Sequence, residues 1–154
     1  MEQFSSLPTF ESSAGLIFKV RPYTPADENL VKGTWKGSHL LSTPPELSKS
    51  THNWWMERVT TEVIENPATQ WRIACYEDDP EEVIGWACRG EDVVHYVFTK
   101  QAFRGAGVAR ILVADWPRTA DHWTLAAAEC SNRKWLYRPR TRSSEREKIN
   151  ARKS

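Results

Sequence analysis

The residues Arg104-Gly105-Ala106-Gly107-Val108-Ala109 stand between a β-branched, aromatic run that ends near Lys100 and an apolar segment leading toward Trp116. Glycine is costly inside a strand or a helix, so a pair of them at a junction means that the backbone is needed where a side chain would obstruct. With a helix opening near Gly105, the first-turn amides of Arg104 to Ala109 point outward at the positive end of the helix dipole. Such donors form an anion site suited to a phosphate or pyrophosphate. A tight turn that only permits positive φ uses the same glycines, and the wider context has to decide between the two.

The elements that must position this junction follow from hydrophobic period and turn residues. Leu16 to Arg21 predicts a strand, followed by a turn with two prolines and a helix opening at Pro25-Ala26-Asp27-Glu28, where acidic residues suit the helix dipole. Gly33 to Asn53, with two glycines, adjacent prolines and many Ser/Thr, predicts a long connection of the kind that is often functional. Trp55, Val59 and Val63 at fourfold spacing predict an amphipathic helix stopped at Asn66-Pro67. The period then changes. Trp71 to Glu77, Glu82 to Gly90 and Asp92 to Lys100 are β-rich runs with short turns between them, which predicts an antiparallel meander. Val108, Ile111 and Leu112 share a helical face up to Pro117, and Trp123 to Cys130 predicts a further strand.

Arg104 to Ala109 matches the Arg/Gln-x-x-Gly-x-Gly/Ala pattern of the Gcn5-related N-acetyltransferases, the GNAT superfamily, and it follows a strand as it does there. The order of elements from Ile17 to Cys130 also resembles that family. The fold implied is α+β, a mixed α/β domain with a central, mostly antiparallel sheet flanked by helices. In it, the strands VVHYVFTK and WTLAAAEC splay apart to admit an acyl-CoA, with acetyl-CoA as the expected co-substrate. By the same resemblance, backbone groups near Val97 and Thr99 hold the pantetheine and thioester, and the amides of Arg104, Gly105, Ala106, Gly107, Val108 and Ala109 hold the pyrophosphate. Asn132 contacts the cofactor. The acceptor enters beside the Gly33 to Asn53 segment, where Trp35, His39, His52 and Trp54 line its pocket.

Acyl transfer to an amine needs a neutral nucleophile, donors for the developing oxyanion and a proton for the leaving thiolate. His95 and Glu129, on the two strands that the resemblance places around the thioester, are both candidate bases. The family commonly uses a tyrosine after the second of these strands as the acid, and Tyr137, preceded by Leu136, matches it. The sequence lacks the family's helix ending in Gly-Phe, however, and Pro139 follows two residues after Tyr137, so a shortened C-terminal half is expected.

A chain of 154 residues with eight tryptophans and 40% hydrophobic residues is the size and make-up of one packed domain. We divide it into a flexible arm over 1–14, a GNAT-like domain over 15–137 and a basic tail over 138–154. No apolar run reaches the length of a membrane span, and the N-terminus has no secretory pattern. Cys75, Cys88 and Cys130 lack metal-ligand spacing and are read as reduced, which predicts a cytoplasmic protein and no metal. Residues 133–154 hold nine Lys/Arg and two Glu, a local +7; with +1 overall, the first 132 residues carry −6. Clustered cations are attracted to polyanions, and Trp135 and Tyr137 among them can stack on bases. This supports nucleic acid as an alternative partner. The alternative function is a DNA base-modifying protein on the same fold, similar in kind to the phage Mom-type proteins. A fold-only binding protein without catalysis is a third reading, since fold does not imply function. The compact, Trp-rich composition also resembles small bacteriophage-encoded members of the superfamily.

Overall fold

The computed structural model describes residues 6–41, 48–121 and 136–137. Among these, the chain forms β1 (Thr9–Glu11), β2 (Ile17–Arg21), a 3-10 turn (Pro25–Asp27), α1 (Glu28–Leu41) and α2 (Lys49–Glu65). There follow β3 (Gln70–Tyr76), β4 (Asp79–Arg89), β5 (Val94–Thr99), a second 3-10 turn (Gln101–Phe103), α3 (Val108–Leu112), β6 (Thr119–Ala120) and β7 (Leu136–Tyr137). The seven strands lie in one sheet in sequence order. Pairs from β1 to β5 are antiparallel, while β5–β6 and β6–β7 are parallel. No helix among the described residues is long and apolar enough to cross a membrane.

Helices cover both faces of the sheet. On one face Val31 and Trp35 of α1 and Met56 and Val63 of α2 pack on Ile73, Val83, Trp86, Cys88 and Tyr96. On the other, Val108 and Leu112 of α3 and Trp116 pack on Phe18, Ala74, Ile84, Ala87 and Val94. Two covered faces explain why Val83 to Cys88 is a continuous buried run rather than an alternating one. A guanidinium–carboxylate fork, Arg21 to Asp27 at 2.8 Å for both bonds, ties β2 to the start of α1, and Thr24 N–H donates to the same carboxylate at 2.9 Å.

Several sequence expectations are corrected. The connection expected over Gly33 to Asn53 is mostly helix: α1 continues to Leu41 and α2 starts at Lys49, capped by the Ser48 hydroxyl. Gly33 and Gly37 sit on an open side of α1, with nothing within 4 Å of an added Cβ. Each costs about 1 kcal/mol in a helix. Burial of Val31 and Trp35, together with bonds from Lys32 and Lys36 to Glu57 of α2, offsets that cost. Those two ammonium groups, Lys36 foremost, hold the Glu57 carboxyl down at about 2. On α2 the buried stripe is His52, Met56, Thr60 and Val63, leaving Trp55 exposed. Helix α3 ends at Leu112 rather than at Pro117. The arm expected to be loose over 1–14 contains β1, and Ser12 within it is buried. Thr119–Ala120 forms β6; the strand expected over Trp123 to Cys130 lies outside the described residues.

Candidate functional site

Among the described residues, the outer edge of strand β5 beyond Val94 is unpaired. Lys100 N–H donates to Ile84 O at 2.9 Å, and the register pairs Gly85 with Thr99, Trp86 with Phe98 and Ala87 with Val97. Backbone groups alternate sides in an antiparallel ladder, so Val97 and Thr99 turn theirs away from β4. Strand β6 meets β5 only at Val94, paired with Ala120, and among the described residues no strand lies beside Val97 to Thr99. Arg104 closes the far end: its Nε–H donates to Thr99 O at 3.0 Å and its guanidinium lies over Phe98.

From that edge the chain enters the glycine loop. Gly105 and Gly107 have φ of 81° and 94°, the left-handed region that other residues rarely adopt. Arg104 N–H and Ala106 N–H are used within the turn, by Gln101 O and Phe103 O at 3.3 Å each, and the first helical bond of α3 is Ile111 N–H to Gly107 O. The amides of Gly105, Gly107, Val108 and Ala109 therefore have no acceptor among the described residues. Val108 itself is buried, so it offers a ligand only its backbone. The loop is cationic at its rim, where Arg104 and Arg110 are exposed.

His95 lies where β5 begins. Cys88 pairs with Tyr96 but Arg89 pairs with Val94, so His95 is the extra residue of a β-bulge. Its Nδ1 is 2.7 Å from Asp121 Oδ2, and both side chains are nearly covered, at 13% and 11% exposure. A Cβ on Gly90 would sit only 3.1 Å from His95 Nε2. Sequence reading missed Asp121, which stood in an ordinary Ala-Asp-His turn signal; only the parallel β5–β6 contact brings it to the histidine.

The chain is similar in structure to a GCN5-related N-acetyltransferase from Rhodopseudomonas palustris, at 17% identity and a TM-score of 0.47 over 70% of this chain and 64% of that one. It is similar to another from Kribbella flavida, at 21% identity and a TM-score of 0.44 over 64% and 61%. A third similar structure is an aminoglycoside N-acetyltransferase in complex with CoA, at 16% identity and a TM-score of 0.41 over 95% and 88%. The chain spans less than two thirds of the length of the first two. No family model matches the sequence, and no curated protein does.

The remaining expected residues fall in three groups. Glu129 and Asn132 lie outside the described residues, and of Tyr137 only the backbone is described, in β7 beside Ala120. Trp35 is 2% exposed and belongs to the core, its ring tilted against those of Trp86 and Tyr96, so it is not a pocket wall. Trp54 is 59% exposed with Arg58 over its ring. His39 and His52 do meet, Nδ1 to Nε2 at 2.9 Å with stacked rings. His52 is buried, its Nδ1 has no hydrogen-bond partner among the described residues, and burial pushes its pKa down. Beside this pair Ser38 Oγ and Tyr96 OH are 2.7 Å apart, joining α1 to β5.

Proposed function

We propose that this protein is an acyl-CoA-dependent N-acyltransferase of the GNAT superfamily, transferring an acyl group, with acetyl as the first candidate, from the thioester to a primary amine by direct attack. The observation that carries the reading is the run from the outward-facing backbone of Val97 and Thr99 into a loop of two left-handed glycines whose amides have no acceptor among the described residues. An extended polar arm can pair with a strand edge, and a pyrophosphate can take several amides at once. The donor set fits CoA: Gly105, Gly107, Val108 and Ala109 would hold the pyrophosphate, with Arg104 and Ala106 shaping the loop. Because Thr99 O already accepts from Arg104, the arm would use both backbone groups of Val97 and the N–H of Thr99. His95, Glu129 and Tyr137 are the proposed proton carriers, and Asn132 a proposed cofactor contact.

In the reaction the amine nitrogen attacks the thioester carbonyl, the C–N bond forms and the C–S bond breaks. A fixed amide on β5 would stabilise the oxyanion, and holding both reactants on one rigid edge supplies much of the rate. Acetyl-CoA at 100 times its Kd should stabilise the fold by about 2.7 kcal/mol through linkage. A melting transition that does not move with acetyl-CoA would sink this reading. The +7 segment over 133–154 favours one further reading, nucleic-acid engagement by a Mom-like base-modifying protein. Unmodified nucleosides in DNA from expressing cells, found together with acetylated amines, would eliminate it.

A further inference from the structure

Building on the acyl-transfer reading, we propose that Ser13, in the turn between β1 and β2, is a further ligand-binding residue. Its hydroxyl and backbone N–H donate to the diphosphate of the acyl-CoA held in the glycine loop. The two serines of Glu11-Ser12-Ser13-Ala14-Gly15 divide the work. Ser12 is buried and engaged in the turn: its N–H donates to Leu16 O at 2.8 Å, its Oγ accepts from Leu16 N–H at 3.1 Å, and its carbonyl accepts from Gly15 N–H at 2.9 Å. Gly15, with φ of 85°, supplies the left-handed step that closes the turn. Ser13 is exposed, and neither its hydroxyl nor its N–H has a hydrogen-bond partner among the described residues.

The hairpin brings these donors to the loop. Phe10, Leu16 and Phe18 pack in the same cluster as Val108 and Leu112 of α3, so one buried face carries both the turn and the glycine loop. A Cβ on Gly107 would come within 2.9 Å of Ser13 Oγ and 3.5 Å of Ser13 N. Both Ser13 donors therefore lie against a residue whose own N–H, like those of Gly105, Val108 and Ala109, has no acceptor among the described residues. Two donor sets from distant parts of the chain meet at one place. A diphosphate has more lone pairs than the loop's amides satisfy, and a hydroxyl, which rotates, can serve an oxygen that fixed amides do not reach. Because Ser12 holds the turn before any ligand arrives, little further order is lost on binding. The contact is confined to the phosphate end of the acyl donor, away from the reacting carbonyl on β5. Ser13 thus binds ground state and transition state alike, which lowers KM for the acyl donor and leaves kcat unchanged.

The test is a binding comparison on the full chain that needs no acceptor. Wild type, Ser13→Ala and Ser13→Asp are titrated calorimetrically with CoA and with dephospho-CoA, which keeps the diphosphate but lacks the ribose phosphate. Pantetheine, which has no phosphate, is followed by ligand-detected NMR. A hydrogen bond to a charged acceptor is strong enough that Ser13→Ala should weaken CoA and dephospho-CoA alike by about tenfold. Ser13→Asp sets a carboxylate against the same phosphates and should weaken both by about 100-fold. Pantetheine binding should be unchanged in either variant, and so should the melting temperature of ligand-free Ser13→Ala, since the residue is exposed. Three results overturn the proposal and leave the acyl-transfer reading intact: Ser13→Ala binding CoA as tightly as wild type, an equal loss with pantetheine, or a loss with CoA that dephospho-CoA does not share. A wild type that binds neither CoA nor dephospho-CoA overturns both.

Discussion

The Ser13 hydroxyl lies 2.9 Å from the position that a Cβ on Gly107 would occupy, with Ser13 N at 3.5 Å. The β1–β2 turn therefore seats directly on the glycine loop. Gly107 answers two demands at once, a left-handed backbone and the close approach of a neighbouring chain segment, whereas Gly105 answers the first alone, since nothing lies within 4 Å of its Cβ position.

The two glycines should separate on mutation. Gly105→Ala is expected to cost about 1 kcal/mol, the penalty of a left-handed alanine. Gly107→Ala adds a clash with Ser13 and should cost about 2–3 kcal/mol. Urea titrations of the two variants measure the difference; equal losses would mean that the turn does not rest on Gly107.

Arg104 is exposed, yet it is bonded to the last carbonyl of β5. Arg104→Ala should change stability by no more than about 0.5 kcal/mol, as expected of a surface substitution. Its affinity for acetyl-CoA should fall by about tenfold, equivalent to about 1.4 kcal/mol. Arg104→Lys should not restore it, since an ammonium lacks the Nε donor. Calorimetric titration with acetyl-CoA checks both.

Asp27 sets an acid limit to stability. Burial works to raise its pKa, but the Arg21 fork and the Thr24 amide and hydroxyl outweigh it and hold the carboxyl below its usual range. A depressed folded-state value means stability that is present above the unfolded carboxylate pKa, about 3.9, and lost as pH falls through the folded one. Asp27→Ala strands a nearly buried guanidinium and should cost roughly 3 kcal/mol at neutral pH. Denaturation midpoints from pH 7 down to pH 2 should fall below pH 4 in the wild type, and the variant should lose the part of that slope due to Asp27.

Two tryptophans that looked alike in sequence should behave oppositely. Trp35→Ala empties a site in the core under α1 and should cost about 3–5 kcal/mol. Trp54→Ala, on the outer face of α2, should stay within about 0.5 kcal/mol. Thermal melts decide it, and a large loss at Trp54 would mean that its face is covered.

The meander was legible because three β-rich runs are separated by strong turn residues, so local pattern alone predicts neighbours that pair antiparallel. The helix over Gly33 to Leu41 was not. Two glycines and a serine hide its period, and what keeps it helical is the burial of Trp35 and the reach of two lysines to another helix. Those are contacts between distant residues, which propensity does not contain.

The same division runs through the candidate site. Sequence by itself determined the glycine loop, because a left-handed backbone restricts residue type at the positions concerned, and it picked out His95 as chemically able. Only the tertiary structure decided that Val97 and Thr99 turn their backbone groups away from β4, that Ser13 presses on Gly107, and that Asp121 holds His95. A bulge and a short parallel pairing bring residues 95 and 121 together. Such long-range register is set by how the whole sheet buries its two faces, not by the residues that happen to meet across it.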